Sequence, residues 1–352
     1  MKNELEEVIE ESSQNIPKRT KVLIIRFSSI GDIVLTTPVI RCVKLQLNAE
    51  VHFLSKISFK AVTEANPYID KFYYFENDIN SLIEELKNEQ YHYIIDLHKN
   101  YRTLKIKSEL KVKAFTYNKE SLSKFLLTKL HINTMSGRHI TDRSLEAVSS
   151  LGVINDGKGL DYFLPSNLAI SIADLPLSHQ FGYIAIVIGA SYFTKKLPVD
   201  KLKELCSLVA YPIVLVGGKE DTLEGESIAN IDTIKVYNAC GKFSLNESAW
   251  LVKQSKLIIS HDTGLQYIAC AFNKHVLAIW GGTSPKLDVE PYYASSINND
   301  STKMYQNFIV PKLSCQPCSN YGSKKCPKRH FKCMKQQDVQ LIADTAMTIV
   351  RK

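Results

Sequence analysis

No apolar run in the chain approaches the roughly eighteen residues a membrane span needs, the nearest being the short stretch Tyr183 to Ala190. No G-x-G-x-x-G opens the turn after its first strand-like run, so a nicotinamide-dependent oxidoreductase is disfavoured, and no phosphate-binding P-loop stands there either. The opening MKNELEEVIEE is acidic and has neither the basic start nor the apolar centre of a signal peptide, so a cytoplasmic protein is expected.

The 352 residues exceed one ordinary core and fit two domains of roughly 150 to 170 residues. With 45% hydrophobic and 23% charged residues the composition is that of a folded globular protein. A net charge of +8 favours anionic partners: phosphorylated sugars, nucleotides, nucleic acid or an acidic membrane surface.

The pattern of short apolar runs and helical stretches is α/β. Residues 1–20 read as a loosely attached lead-in. In a first α/β domain, 21–165, Val22 to Ile25, Val51 to Leu54 and Tyr93 to Leu97 read as buried strands. Pro38 either kinks the first helix or starts a new one, with Thr37 as its cap. Residues 165–176 mix turn formers into a linker. A second domain, 177–335, follows, and 336–352 closes the chain with a helix. In that domain the strands beginning at Tyr183, Ile213, Leu257 and Val276 all end in Gly or Ser turns, where small residues would let a ligand approach the backbone.

The run Ser260-His261-Asp262-Thr263-Gly264 interrupts the pattern between a strand and a helix. Backbone N–H groups at Thr263 and Gly264 would sit at the positive end of that helix and suit a phosphate, while the plainer reading has Asp262 and Thr263 capping it. After the first strand, Ser28-Ser29-Ile30-Gly31-Asp32 places a carboxylate at a strand-to-helix turn, where helix stabilisation competes with catalysis. Lys195 and Lys196 follow the first strand of the second domain, where a diphosphate would need a cation. A basic belt of Lys99, Arg102, Lys105, Lys107, Lys111 and Lys113 follows His98. It suits a phosphorylated acceptor, an acidic lipid surface or plain solvation, and lacks the aromatic interleaving of a nucleic-acid platform. Cys315, Cys318, Cys326 and Cys333, with His330 nearby, start with a C-x2-C pair; structural zinc is the minority reading, since the later spacings fit no standard finger. Cys42, Cys206, Cys240 and Cys270 read as buried thiols.

Together VLIIRFSSIGDIVLTTPVIR, GASYFTKKLP, NACGKFSLNESAWLVKQSKLIISHDTGLQYIACAF and WGGTSP, in that order, resemble glycosyltransferase family 9, the ADP-heptose:lipopolysaccharide heptosyltransferases. The resemblance implies a GT-B fold: two Rossmann-like domains facing across a cleft, acceptor in the first, nucleotide-sugar in the second, and the last helix crossing back to the first. It implies inverting transfer of a heptose or related sugar from an ADP-activated donor to a lipopolysaccharide core or glycolipid acceptor, without cofactor or catalytic metal, at or near the inner face of the cytoplasmic membrane. Residue by residue, Asp32 matches the general base, Lys195 the diphosphate-binding lysine, Asp262 the carboxylate holding donor hydroxyls, and Thr263 with Gly264 the phosphate-contacting helix start. Gly241 and Ser284 join the donor side; His98 and Arg102 are the acceptor-side candidates. Leu197 stands where a tryptophan often follows the lysines. Competing readings are a transferase or epimerase-like GT-B protein using a UDP-sugar, and a non-catalytic binding protein that kept the donor pocket.

Overall fold

A computed structural model describes residues 19–298 and 303–351. Most of the lead-in, residues 1–18, lies outside the described residues.

Two fully parallel sheets carry the fold. The first contains β1 (Lys21–Ile25), β2 (Glu50–Lys56), β3 (Lys71–Phe75), β4 (Tyr93–Asp96) and β5 (Ala114–Thr116) in the order β3-β2-β1-β4-β5. The second contains β6 (Ile184–Val187), β7 (Ile213–Val216), β8 (Val236–Asn238), β9 (Leu257–His261), β10 (His275–Ile279) and β11 (Tyr305–Phe308) in the order β11-β10-β9-β6-β7-β8. Continuous apolar runs explain the parallel pairing: Val22 to Ile25, Ile184 to Val187 and Leu257 to Ile259 are buried, as strands covered on both faces must be. Register places Ile25 opposite Leu54 and Asp96, and Ile259 opposite Ile186 and Leu277.

In both sheets the chain starts at a central strand, builds outward to one side, then returns to the other. The reversal opens a crevice between β1 and β4 in the first sheet and between β6 and β9 in the second. Ligands bind outside the carboxyl ends of strands at such switch points. Asp32 follows β1, His98 follows β4, Lys195 follows β6, and Asp262 follows β9.

The Pro38 alternatives resolve to a new helix. Ile30–Val34 ends, and Thr37–Gln46 begins with Thr36 at its cap and proline in its first turn, one residue earlier than predicted. One apolar core joins the domains, running from Val22, Ile24 and Val34 to Ile258, Ile268 and Trp280. A second core lies on the far face of the second sheet. There Ile342, Ala343 and Ala346 of the closing helix Val339–Val350 pack with Leu202 and Leu205 of helix Val199–Leu208 and with β9. The second domain, rather than the first onto which a crossing was expected, supplies this helix's buried surroundings.

Candidate active site

The two switch points meet. Helix Ile30–Val34 of the first domain crosses helix Gly264–Ala271 of the second at their first turns. A Cβ on Gly31 would stand 2.7 Å from the Tyr267 ring, and one on Gly264 would stand 2.4 Å from Ile30 Cγ2. Glycine at both positions is therefore what allows the turns holding Asp32 and Asp262 to approach each other.

On the first-domain side, Asp32 Oδ1 pairs with Arg26 Nη2 at 2.6 Å, while Oδ2 accepts from the Ser29 hydroxyl at 2.8 Å and the Ser29 N–H at 3.1 Å. Burial would raise its pKa, but the Arg26 charge and the Ser29 hydrogen bonds outweigh burial and hold it below its ordinary value. The helix-stabilising role is present at this residue, since the Ser29 bonds are those of a capping box. Arg26 is itself fixed by the carbonyls of Ser28 and Leu97. His98 sits against Phe27 with ring centroids 4.8 Å apart. Burial, helped by the nearby Arg26 and Lys119 charges, pushes its pKa down to about 4, so the imidazole is neutral at pH 7. Its Nδ1 is buried without a protein partner. Arg102 lies over the Phe75 ring at 5.9 Å.

The basic belt is divided among separate structural tasks. Lys107 pairs at 2.8 Å with the fully buried Asp96, Lys105 donates to Asn80, and Lys113 lies 5.3 Å from the Phe115 ring centroid. Lys124, outside the belt, is the lysine turned inward. Burial and the Arg143 charge lower its pKa to about 8, with Asp32 opposing them.

On the second-domain side, Lys195 Nζ pairs with Asp262 Oδ2 at 2.7 Å. That oxygen also accepts from Thr283 Oγ1 at 2.9 Å, and Tyr267 OH stands 3.4 Å from Oδ1. The capping alternative is not realised: Asp262 is engaged by Lys195 and Thr283, and Thr263, extended at the N-cap of helix Gly264–Ala271, makes no side-chain cap bond. His261 points the other way, its Nε2 accepting from the Leu197 N–H at 2.9 Å; burial lowers its pKa to about 3. Leu197, in place of a tryptophan, is buried in the core.

Lys196 does not share the task of Lys195. It pairs at 2.7 Å with the buried Asp221 and at 2.8 Å with Glu224. Asp221 also explains two of the glycine turns, since a Cβ on Gly189 would lie 2.2 Å, and one on Gly217 2.9 Å, from its side chain. Likewise a Cβ on Gly281 would meet Thr194 O at 2.2 Å. These glycines admit neighbouring protein atoms, a correction to the reading that they bare the backbone for a ligand. Gly241 has φ +73° and abuts Thr222. Ser284 Oγ accepts from the Lys286 N–H at 3.3 Å and caps a short 3-10 turn.

The cysteine-rich segment, residues 313–331, lies across the end of β10. Cys318 and Ser319 donate to Gly282 O, and Gln316 Nε2 donates to the carbonyls of Trp280, Gly281 and Thr283. Gly322 lies against Lys195, where a Cβ would be 3.0 Å from Lys195 Cγ. The next-door Tyr321 is 55% exposed. All four cysteines are free thiols, with Cys315 Sγ 3.8 Å from His330 Nε2. They lie close enough that burial and the neighbouring Cys318, Cys326 and Cys315 push the Cys333 thiol up to about 12, but they form no group with ligand atoms all within 4.8 Å of one another. Among the described residues, the group of three potential ligand atoms within 4.8 Å is Glu50, His52 and Glu89, and Glu89 is occupied by Lys21, Lys71 and Tyr73.

Two carboxylates, each held by a cation, therefore stand at the mouths of two parallel sheets whose following helices touch. Residues 79–307 match glycosyltransferase family 9 (heptosyltransferase). The chain belongs to that family. It is 25% identical over 297 residues to lipopolysaccharide heptosyltransferase 1 of Campylobacter coli, covering 75% of this chain and 84% of that protein. Its fold is similar to that of a glycosyl transferase family 9 protein from Veillonella parvula, with TM-score 0.66, 18% identity, and 82% and 85% of the two chains covered. It is also similar to E. coli heptosyltransferase WaaC with ADP, with TM-score 0.60, 19% identity, and 82% and 92% covered. The family 9 chain is thus a glycosyltransferase of GT-B architecture. Asp32, Lys195 and Asp262, the residues singled out from the sequence, stand at these strand ends with partners the local sequence did not mark: Arg26, two residues before the Ser28-Ser29 pair, on Asp32, and Thr283 and Tyr267 beside Asp262.

Proposed function

We propose that the protein transfers a heptose or related sugar, with inversion, from an ADP-activated donor to a lipopolysaccharide core or related glycolipid acceptor. The observation that supports this reading is the meeting of the two switch points through Gly31 and Gly264, which brings the turn of Asp32 against the helix that follows Asp262. Family membership and the ADP named with E. coli WaaC support the donor.

In an inverting displacement the acceptor hydroxyl attacks the anomeric carbon opposite the departing diphosphate, through a transition state with oxocarbenium character. One side then needs a base. Asp32, ionised at pH 7, accepts the hydroxyl proton as the bond forms, a contribution of roughly two to four powers of ten. The other side needs positive charge. Lys195 and the amides at Thr263 and Gly264 stabilise the diphosphate as it leaves. Asp262, relieved of Lys195 when the phosphates bind, holds donor hydroxyls, and Gly241 and Ser284 line the donor side. His98, with a free Nδ1, and Arg102 contact the acceptor. Docking at the inner face of the cytoplasmic membrane belongs to this reading; no helix among the described residues is long and apolar enough to cross a membrane.

Incubation with ADP- and UDP-sugars and lipopolysaccharide core acceptors, read by mass spectrometry, tests the proposal. Product from ADP-heptose is expected; product from UDP-sugars alone would replace the donor assignment.

A further inference from the structure

The segment Ser121–Leu130 has its polarity inside out. Lys124 is buried with Leu127 and Thr128, whereas Leu122, Phe125 and Leu130 are 71%, 53% and 56% exposed, and Ile132 just beyond is 53% exposed. Leu122, Phe125 and Leu126 are spaced to share one outward stripe, which Lys129 and Leu130 continue a turn later. A second exposed pair, Tyr101 at 81% and Leu104 at 59%, lies on helix Tyr101–Leu110. The two elements leave the carboxyl ends of β4 and β5, which are hydrogen-bonded neighbours. A helix that packs its lysine inward and shows leucine and phenylalanine to solvent has an outer face made for a partner.

Charge identifies the partner. Residues 99–132 hold nine Lys or Arg against two Glu, and with Lys124 turned inward and Lys107 paired with Asp96, seven of those cations remain. One of those glutamates, Glu120, is already paired with Arg143. A second copy of so positive a face would be repelled, whereas an anionic lipid surface attracts it and its interface takes up exposed Leu, Phe and Tyr. We propose that the outward face of Ser121–Ile132, with Tyr101 and Leu104, docks on an acidic phospholipid bilayer. Because the segment leaves the carboxyl end of β5, on the same edge of the sheet as the turn that follows β1 and holds Asp32, docking sets the bilayer on the side of the domain where the proposed base stands. A lipid-anchored acceptor then presents its sugar to Asp32 without leaving the membrane. This purpose rests on the glycolipid-acceptor reading; the docking itself does not.

The test is flotation of the full chain with phosphatidylcholine vesicles, with and without phosphatidylglycerol. Binding to the acidic vesicles, weakened by salt, is expected. Leu122→Glu/Phe125→Glu should lower vesicle affinity roughly tenfold or more, with circular dichroism, ADP binding and transfer to a delipidated, water-soluble acceptor unchanged. Lys113→Glu/Lys129→Glu, which keeps the apolar stripe, should lower affinity for acidic vesicles by roughly tenfold as well. No binding of the parent chain to acidic vesicles would overturn the proposal. So would equal binding by the apolar-face variant, or a variant that only turns a dimer into a monomer, which would assign the face to a second copy. Absence of transfer to every acceptor, with vesicle binding intact, would strike the functional reading and leave the docking surface standing.

Discussion

The turns after β1 and β9 are built alike and held differently. Each places a carboxylate after a central parallel strand, gives it a cation, and presses a glycine against the other. Asp32 is paired within its own turn to Arg26, which is anchored by two backbone carbonyls and never loses its charge. Asp262 is paired across loops to Lys195, a flexible point charge. The Asp32 side chain is 28% exposed and that of Asp262 11%. Under the proposed mechanism the difference becomes a division of labour: a fixed pair would keep a proton acceptor ionised and open to an incoming hydroxyl, whereas an exchangeable pair would hand its lysine to a diphosphate.

Asp32→Asn tests the fixed side most severely. Turnover should fall by roughly two to four powers of ten with the fold intact, measured by steady-state kinetics, and near-normal turnover would end the assignment of the base. The neighbouring lysines sharpen the contrast on the other side. Lys196→Met strands Asp221, whose side chain is 1% exposed, and should cost about 2–4 kcal/mol in denaturant unfolding. Lys195→Met leaves Asp262, 11% exposed, its bond from Thr283 and should cost less than Lys196→Met, about 1–2 kcal/mol; equal losses would make the Lys195–Asp262 pair structural. Gly264→Ala drives a methyl into Ile30 and should cost roughly 1–3 kcal/mol. An unchanged melting temperature and unchanged activity would show that the two turns need not touch.

The smallest effect concerns pH. With the Asp32 pKa depressed, its paired form adds stability above the unfolded carboxylate value of about 3.9, and that stability is lost as pH falls through the lower folded value. The acid limb of kcat/KM should accordingly lie below the usual carboxylate range. A limb above about pH 5 would contradict the Arg26 pairing.

Much of this was legible in the sequence because it is local. Unbroken apolar runs mark strands buried on both faces, and the breaks after them expose Asp32, Lys195 and Asp262. Partnerships across the fold were not legible. Nothing in Lys195-Lys196 says that adjacent lysines serve different carboxylates, because Asp221 arrives from the end of β7. The glycines after β6, β7 and β10 signalled close approach correctly, but what approaches is protein. Nothing in the cysteine-rich segment says that its Gly322 packs against Lys195. The inverted helix around Lys124 looks from spacing like an ordinary amphipathic one, since periodicity does not say which face turns inward.

The central claim, donor on the β9 side and base on the β1 side, is tested most directly by calorimetric titration of ADP into the parent, Asp32→Asn and Lys195→Ala proteins. The account predicts that Lys195→Ala weakens ADP roughly tenfold or more, as loss of a charge-assisted phosphate contact should, while Asp32→Asn leaves affinity essentially as in the parent. Unchanged affinity in Lys195→Ala, or a comparable loss in Asp32→Asn, would contradict it.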